Sequence, residues 1–376
     1  MEVVITERIK ELKELVKVLT ELHGNVGHED EVIKYICHSL KDRADEVKID
    51  AIGNVTALFK CGKENAKKVM LFGHMDEVGM VVRKIEQNGF LRAEKLGSIN
   101  PNIIPGSSVE VIGKKGKIPG VVGSKSHHLL QPDDKYKIAG FDKLYIDIGA
   151  NSMDDVKSMG IEVGTPIVMK SRFSELANNL VTNKAMDDRA SLAVMIYLSE
   201  NIKREELDCD LYLVFSVQEE FNTRGIMPVV REIIPDIAIG IDVTPSCDTP
   251  DLKGYSDISL GKGIAITFMN HHGRGTLAGL VPNMKFVNFL QEICIKNNIK
   301  YQNEVTLGVL TETAYILFEN SKTIVINLSI PTRYTHTPVE VVSLEDLLSC
   351  YDLLYNFLKT YKSSLEFGKY ILEKEV

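Results

Sequence analysis

The stretch LVFSVQEEF, residues 213–221, runs a mostly apolar segment straight into two adjacent carboxylates, Glu219 and Glu220. An apolar run of this length reads as a buried strand. A buried strand that ends on a doubled negative charge needs a reason, and the neighbouring strands supply one. VMLFG ends on His74, with Asp76 two residues later; IAIGI ends on Asp242; TIVINLSIPTRYT leads to His336. Asp187, in KAMDDRAS, stands just before a helix-like run. Open α/β sheets collect ligands at the carboxyl ends of their strands, so these residues can meet in one crevice.

Taken singly, each has an ordinary reading. A strand-end carboxylate is commonly solvated, a lone histidine is commonly structural, and an aspartate before a helix caps it, the preferred reading for Asp188. As a set, two His, two Asp and two Glu supply mixed N/O donors that suit zinc or a similar divalent ion. Residues i and i+2 of a strand point the same way, so Asp76 can accept the free ring N–H of His74. Neighbouring carboxylates at a strand end point in different directions. One can bind metal while the other moves a proton.

Working outward, ITERIKELKELVKVLTEL and HEDEVIKYICHSLKDR read as helices, followed by short β-like runs and a bend at Gly53-Asn54. Between about residues 79 and 172 the texture changes: 12 of the 27 glycines and 5 of the 12 prolines fall there, among short apolar runs. That pattern predicts a small all-β domain, barrel or sandwich. From Ala185 onward helices and strands alternate around a buried sheet. The expected architecture is therefore an α/β domain built from residues 1–77 and 173–376, with a β domain inserted at 78–172.

The chain has 376 residues, 44% hydrophobic and 26% charged, with a formal net charge of −8 and both signs well mixed. No basic stripe offers itself to nucleic acid or to an anionic membrane. The six cysteines form no CxxC pair and read as thiols in a reducing compartment, and no segment has the length and apolarity of a membrane span. A cytoplasmic protein is expected. The phosphate-loop, nucleophile-elbow and dinucleotide fingerprints are all missing. The pairs His127-His128 and His271-His272 lie in turn-like, Gly-rich surroundings and are not expected to be ligands.

The segments GHMDEVG, YIDIGANS, KAMDDRA, QEEFNTRG, IDVTPSCDTP, LGKG and SIPTRYTHTPVEV, in this order, closely resemble the M42 family of metallo-aminopeptidases. The resemblance implies a mixed-sheet α/β metallopeptidase domain with an inserted barrel or PDZ-like dimerisation domain, and homodimers that assemble into homododecamers. It implies two divalent ions, Zn2+ or Co2+. His74 and Asp242 would hold one and Glu220 and His336 the other, with Asp187 bridging and the Asp187–Asp188 peptide cis. A metal-bridging hydroxide would attack the N-terminal peptide bond of substrates with a free N-terminus, Glu219 acting as general base and Asp76 backing His74. The chain departs from the family pattern at Phe221-Asn222, Ser191, Ser126-His127 and Thr311-Glu312-Thr313, none of them a ligand. Two other readings remain: a catalytically altered relative acting as an assembly or binding protein, and a glycosidase using Glu219 and Glu220 as paired acids. Glycoside hydrolysis needs carboxyls facing across a bond, which adjacent residues fit poorly.

Overall fold

The structure, a computed structural model, describes residues 2–134, 137, 140–273 and 277–368. Its main body is one large mixed sheet. Four central strands run parallel in the order Asp210–Ser216, Lys68–His74, Ile237–Pro245 and Ile324–Arg333. These strands read as near-continuous apolar runs because both faces of a parallel sheet are covered; every residue from Ile237 to Thr244 is buried. Val55–Phe59 and Glu46–Ile49 extend one side antiparallel; Glu340–Ser343, Leu180–Asn183 and Ser174–Glu175 extend the other. Ile264–His271 branches antiparallel from the strand Ile324–Arg333 and pairs in turn with Tyr301–Leu307.

One face packs against the helices Glu2–Glu21, Asp30–Leu40, Met186–Asn201, Met284–Asn297 and Leu344–Thr360. In Met186–Asn201 every residue from Met186 to Ser199 is buried, as expected of a helix wedged between a sheet and other helices. The opposite face is covered by Ile226–Ile233 and Thr313–Glu319.

Between Gly79 and Met169 six antiparallel strands close into a small barrel. Its interior, including Val82, Leu91, Val109, Val111, Ile146 and Ile167, is a separate apolar cluster from that of the main sheet. The glycine- and proline-dense quarter of the sequence is thus the barrel, whose tight strand connections use those residues. Several strands escaped the sequence reading, among them Leu180–Asn183, Ile264–His271, Tyr301–Leu307 and Glu340–Ser343, as did the short helix Thr313–Glu319.

Candidate metal centre

The parallel strands deliver their carboxyl ends side by side. His74 ends one strand and is in register with Ser216, the last residue of the next; Glu219 and Glu220 follow three and four residues later. Asp242 lies in the third strand, and His336 follows the fourth. Asp187 enters from the start of the buried helix, where the Asp187–Asp188 peptide is cis. The structure brings His74, Asp187, Glu219, Glu220, Asp242 and His336 together. Donor atoms of His74, Glu219 and Glu220 lie within 4.8 Å of one another, and so do those of two further groups, His74 with Asp187 and Asp242, and Asp187 with Glu220 and His336. Asp187 belongs to both of these further groups. Its Oδ1 is 3.1 Å from His74 Nε2, and its Oδ2 is 3.2 Å from His336 Nε2, which also lies 3.1 Å from Glu220 Oε1.

Both imidazoles are oriented by backbone carbonyls. His74 Nδ1 lies 3.1 Å from the carbonyl oxygen of Asp76, and His336 Nδ1 lies 2.6 Å from that of Ser98 in the barrel. A carbonyl only accepts, so Nδ1 donates in each ring and Nε2 is the atom presented to the cluster. Asp76 therefore serves His74 chiefly through its backbone; its carboxylate is 3.6 Å from the ring. That carboxylate has another task. Its two oxygens accept the amide N–H groups of Glu219 and Glu220, at 2.9 and 3.0 Å.

The same device recurs around the centre. Asp188 caps no helix end here: its Oδ2 accepts the amide of His74 at 3.2 Å and its Oδ1 accepts the hydroxyl of Ser191. Room for it comes from Gly73, where a Cβ would sit 2.7 Å from Asp188 Oδ2. Glu340 accepts the amides of His336 and Asp187, at 2.6 and 3.0 Å. Glu340 was not singled out in the sequence, although it lies in the TPVEV segment. An acceptor of backbone amides leaves no spacing signal of its own.

Counting protein charges alone, the centre is strongly anionic. Burial pushes the carboxyls of Glu219 and Asp242 well above the usual range, and neighbouring carboxylates reinforce the shift. Burial likewise raises Glu312, to about 7; it accepts the Ser216 hydroxyl at 2.6 Å from within the altered Thr311–Thr313 loop. Burial opposes charge on both histidines, yet the Asp187, Asp76 and Glu220 carboxylates outweigh it and hold both rings well above their ordinary value. Asp187 is held well below the carboxylate range, burial being overcome by the two imidazoles. A buried cluster with this excess of carboxylates calls for cations, since uncompensated buried charge is costly. The donors fit divalent ions: two neutral-capable Nε2 atoms with fixed rings and three carboxylates, arranged in two groups that share one.

A cavity of about 440 Å³ opens over the centre, lined by Asp187, Glu219, Glu220, Asp242 and His336. Glu219 Oε1 is buried without a hydrogen-bond partner. His272, not expected to be a ligand from the sequence, also lines this cavity, whereas His127 and His128 sit on an exposed turn and do not line it. Only the fold reveals the placement of His272, because its glycine-rich turn carries no periodicity.

The sequence model of the M42 glutamyl aminopeptidase family matches residues 53–353. The candidate aminopeptidase SgcX of Escherichia coli strain K12 is 47% identical over 87% of this chain and 88% of its own. An aminopeptidase from the archaeon Desulfurococcus kamchatkensis superposes with a TM-score of 0.88 at 35% identity, covering 94% of this chain and 96% of its own. The Pyrococcus horikoshii TET1 peptidase, which can assemble into a tetrahedron or a large octahedral shell, gives a TM-score of 0.82 at 28% identity, over 92% and 99%. Fold, site and these likenesses define an enzyme that hydrolyses peptide bonds. The chain belongs to the M42 peptidase family.

Proposed function

We propose that this protein is a dinuclear-metal aminopeptidase that removes N-terminal residues from peptides. The observation that carries the reading is the shared placement of Asp187, one oxygen toward each histidine, between two donor groups. His74 and Asp242 would hold one ion and Glu220 and His336 the other, with Asp187 common to both. Two such ions, Zn2+ or Co2+, would polarise the scissile carbonyl and acidify a water. Glu219 is the general base: its unpartnered Oε1 takes the proton of the attacking water and returns it to the leaving amine. Asp76 keeps Glu219 and Glu220 apart by holding their amides on separate oxygens.

Beyond the carboxylates and the two histidines, the cavity lining combines apolar Val243, Pro245, Val309 and Leu310 with uncharged Ser98, Asn222 and Thr335, and among the described residues it carries no Lys or Arg. Such a wall suits an uncharged first side chain. Homodimers assembling into a homododecamer, and residence in the cytoplasm, complete the proposal; all six cysteines are free thiols.

The test is hydrolysis of a panel of unblocked aminoacyl-p-nitroanilides and short peptides, with Zn2+ or Co2+ and with chelator. Turnover is expected to need metal and to fall about 10²–10⁴-fold in Glu219→Gln. Normal metal content with no turnover on any free-amine substrate would instead favour an altered relative acting as a binding protein.

A further inference from the structure

The loop that carries the doubled glutamate is held by an arrangement that extends beyond Asp76. Four consecutive amides, each past the end of the strand Asp210–Ser216, donate to side-chain acceptors. Val217 N–H goes to Asn54 Oδ1 at 3.0 Å and Gln218 N–H to Glu29 Oε1 at 3.3 Å; those of Glu219 and Glu220 go to Asp76. The three acceptors are all buried, and they come from three separate segments of the chain. Asn54 lies in the bend between the first two strands, Glu29 just before the helix Asp30–Leu40, and Asp76 after the strand Lys68–His74.

Asn54 also closes the loop. Its Nδ2 donates to the carbonyl of Gly225 at 2.9 Å, so one amide group spans from residue 217 to residue 225. Asp50 in turn fixes Asn54, accepting its Nδ2 at 2.6 Å and its backbone N–H at 2.9 Å. The two ends of the loop meet so closely that a Cβ on Gly225 would lie 2.1 Å from the carbonyl oxygen of Val217. Within the loop, Gln218 and Thr223 adopt left-handed backbone, with φ of 57° and 49°. L residues hold such conformations only where their surroundings over-determine them.

We propose that Asn54 and Glu29 are positioning residues of the catalytic centre, forming with Asp76 a side-chain cradle for residues 217–220. The cradle fixes the backbone from which Glu220 reaches His336 while Oε1 of Glu219 stays unpartnered at the cavity. Neither Asn54 nor Glu29 contacts the donor groups; both act through the loop. The kinetic consequence rests on the proposed peptidase reading, but the cradle itself can be judged without it.

The first readout is therefore peptide-resolved hydrogen–deuterium exchange on the full-length, Zn2+-loaded protein and on its chelator-treated form. Asn54→Ala and Glu29→Ala are expected to speed exchange at residues 217–220 while the helix 186–201 keeps its protection. Glu29→Gln, which retains an acceptor oxygen, is expected to behave as wild type. Unchanged exchange at 217–220 in both alanine variants would overturn the cradle. The second readout is kinetic: kcat should fall about 10–100-fold at unchanged KM in the alanine variants, and Glu29→Gln should restore most of it. Unaltered kcat per folded, metal-loaded molecule would overturn the positioning role. Should Asn54→Ala fail to fold, Asn54→Ser gives the same comparison. A wild type without peptidase activity would sink the functional reading alone, since the exchange data still decide the cradle.

Discussion

Glu340 shows how much of this centre depends on carboxylates that bind nothing but backbone. Each of its oxygens accepts one amide, that of His336 and that of Asp187. A glutamine can accept only one of the two and turns an N–H toward the other. Glu340→Gln is therefore expected to lower metal affinity and kcat together, by about 10–100-fold, read by metal titration beside steady-state kinetics. Outside the donor groups, Asp346 accepts the amides of Gly261 and Gly263 at 2.7 Å each, yet burial pushes its carboxyl up to about 6. A folded value above the unfolded one of about 3.9 means that the folded form binds the proton more tightly. Its favourable contribution is complete below the unfolded value and is lost as pH rises through about 6. Denaturation midpoints should show wild type losing ground to Asp346→Asn between those two values; a constant difference would contradict the assignment. The residues gathered at the crevice were legible in the sequence because, Asp187 apart, they stand near or just past the ends of apolar strands. Glu29, Glu340 and the amide-gripping role of Asp188 were not, because a backbone acceptor is defined by where another segment happens to pass.

Among elements, the strand Tyr301–Leu307 explains why part of the sheet went unread. Its exposed positions include Val305 and Leu307, whereas its buried positions are Glu304 and Thr306. The usual apolar-in alternation is inverted, so period-two reasoning finds no buried face. The inversion has a local cause. Glu304 accepts the hydroxyls of Thr267, Ser329 and Thr306, at 2.6, 2.7 and 2.9 Å, from its own strand and two others. Removing that acceptor leaves buried hydroxyls to find new partners, so Glu304→Ala should lower unfolding free energy by at least about 2 kcal/mol. Denaturant titration of the metal-loaded protein checks this; a loss within error would mean that the hydroxyls re-pair freely. The helix Met186–Asn201 was, by contrast, easy to place, since its unbroken apolar run Leu192–Leu198 has little choice but the interior.

At the scale of the whole molecule, the described residues form three apolar clusters, one on each face of the main sheet and one in the barrel, and one metal-capable crevice. The junction is polar: Asn25 donates to the carbonyls of Met80 and Ile167, and the buried Lys184–Glu77 pair lies beside it at 2.7 Å. The barrel was legible as a change of texture, and its closure into six strands was beyond what turn residues alone dictate. For the assembly reading, light scattering should return a multiple of the 42.0 kDa chain mass; a monomer at assay concentration would sink it. The parallel strands have one more consequence, which concerns synthesis. Spatial neighbours in the crevice are far apart in translation: His74 is made early, and His336 is supplied by the last of the four central strands. Until that strand has left the ribosome, the donor groups lack the His336 imidazole and the Ser98 carbonyl has no ring to orient. Folding proceeds with synthesis from the N-terminus, so on the proposed two-ion reading the nascent chain stays without its full donor set until residue 336 has emerged.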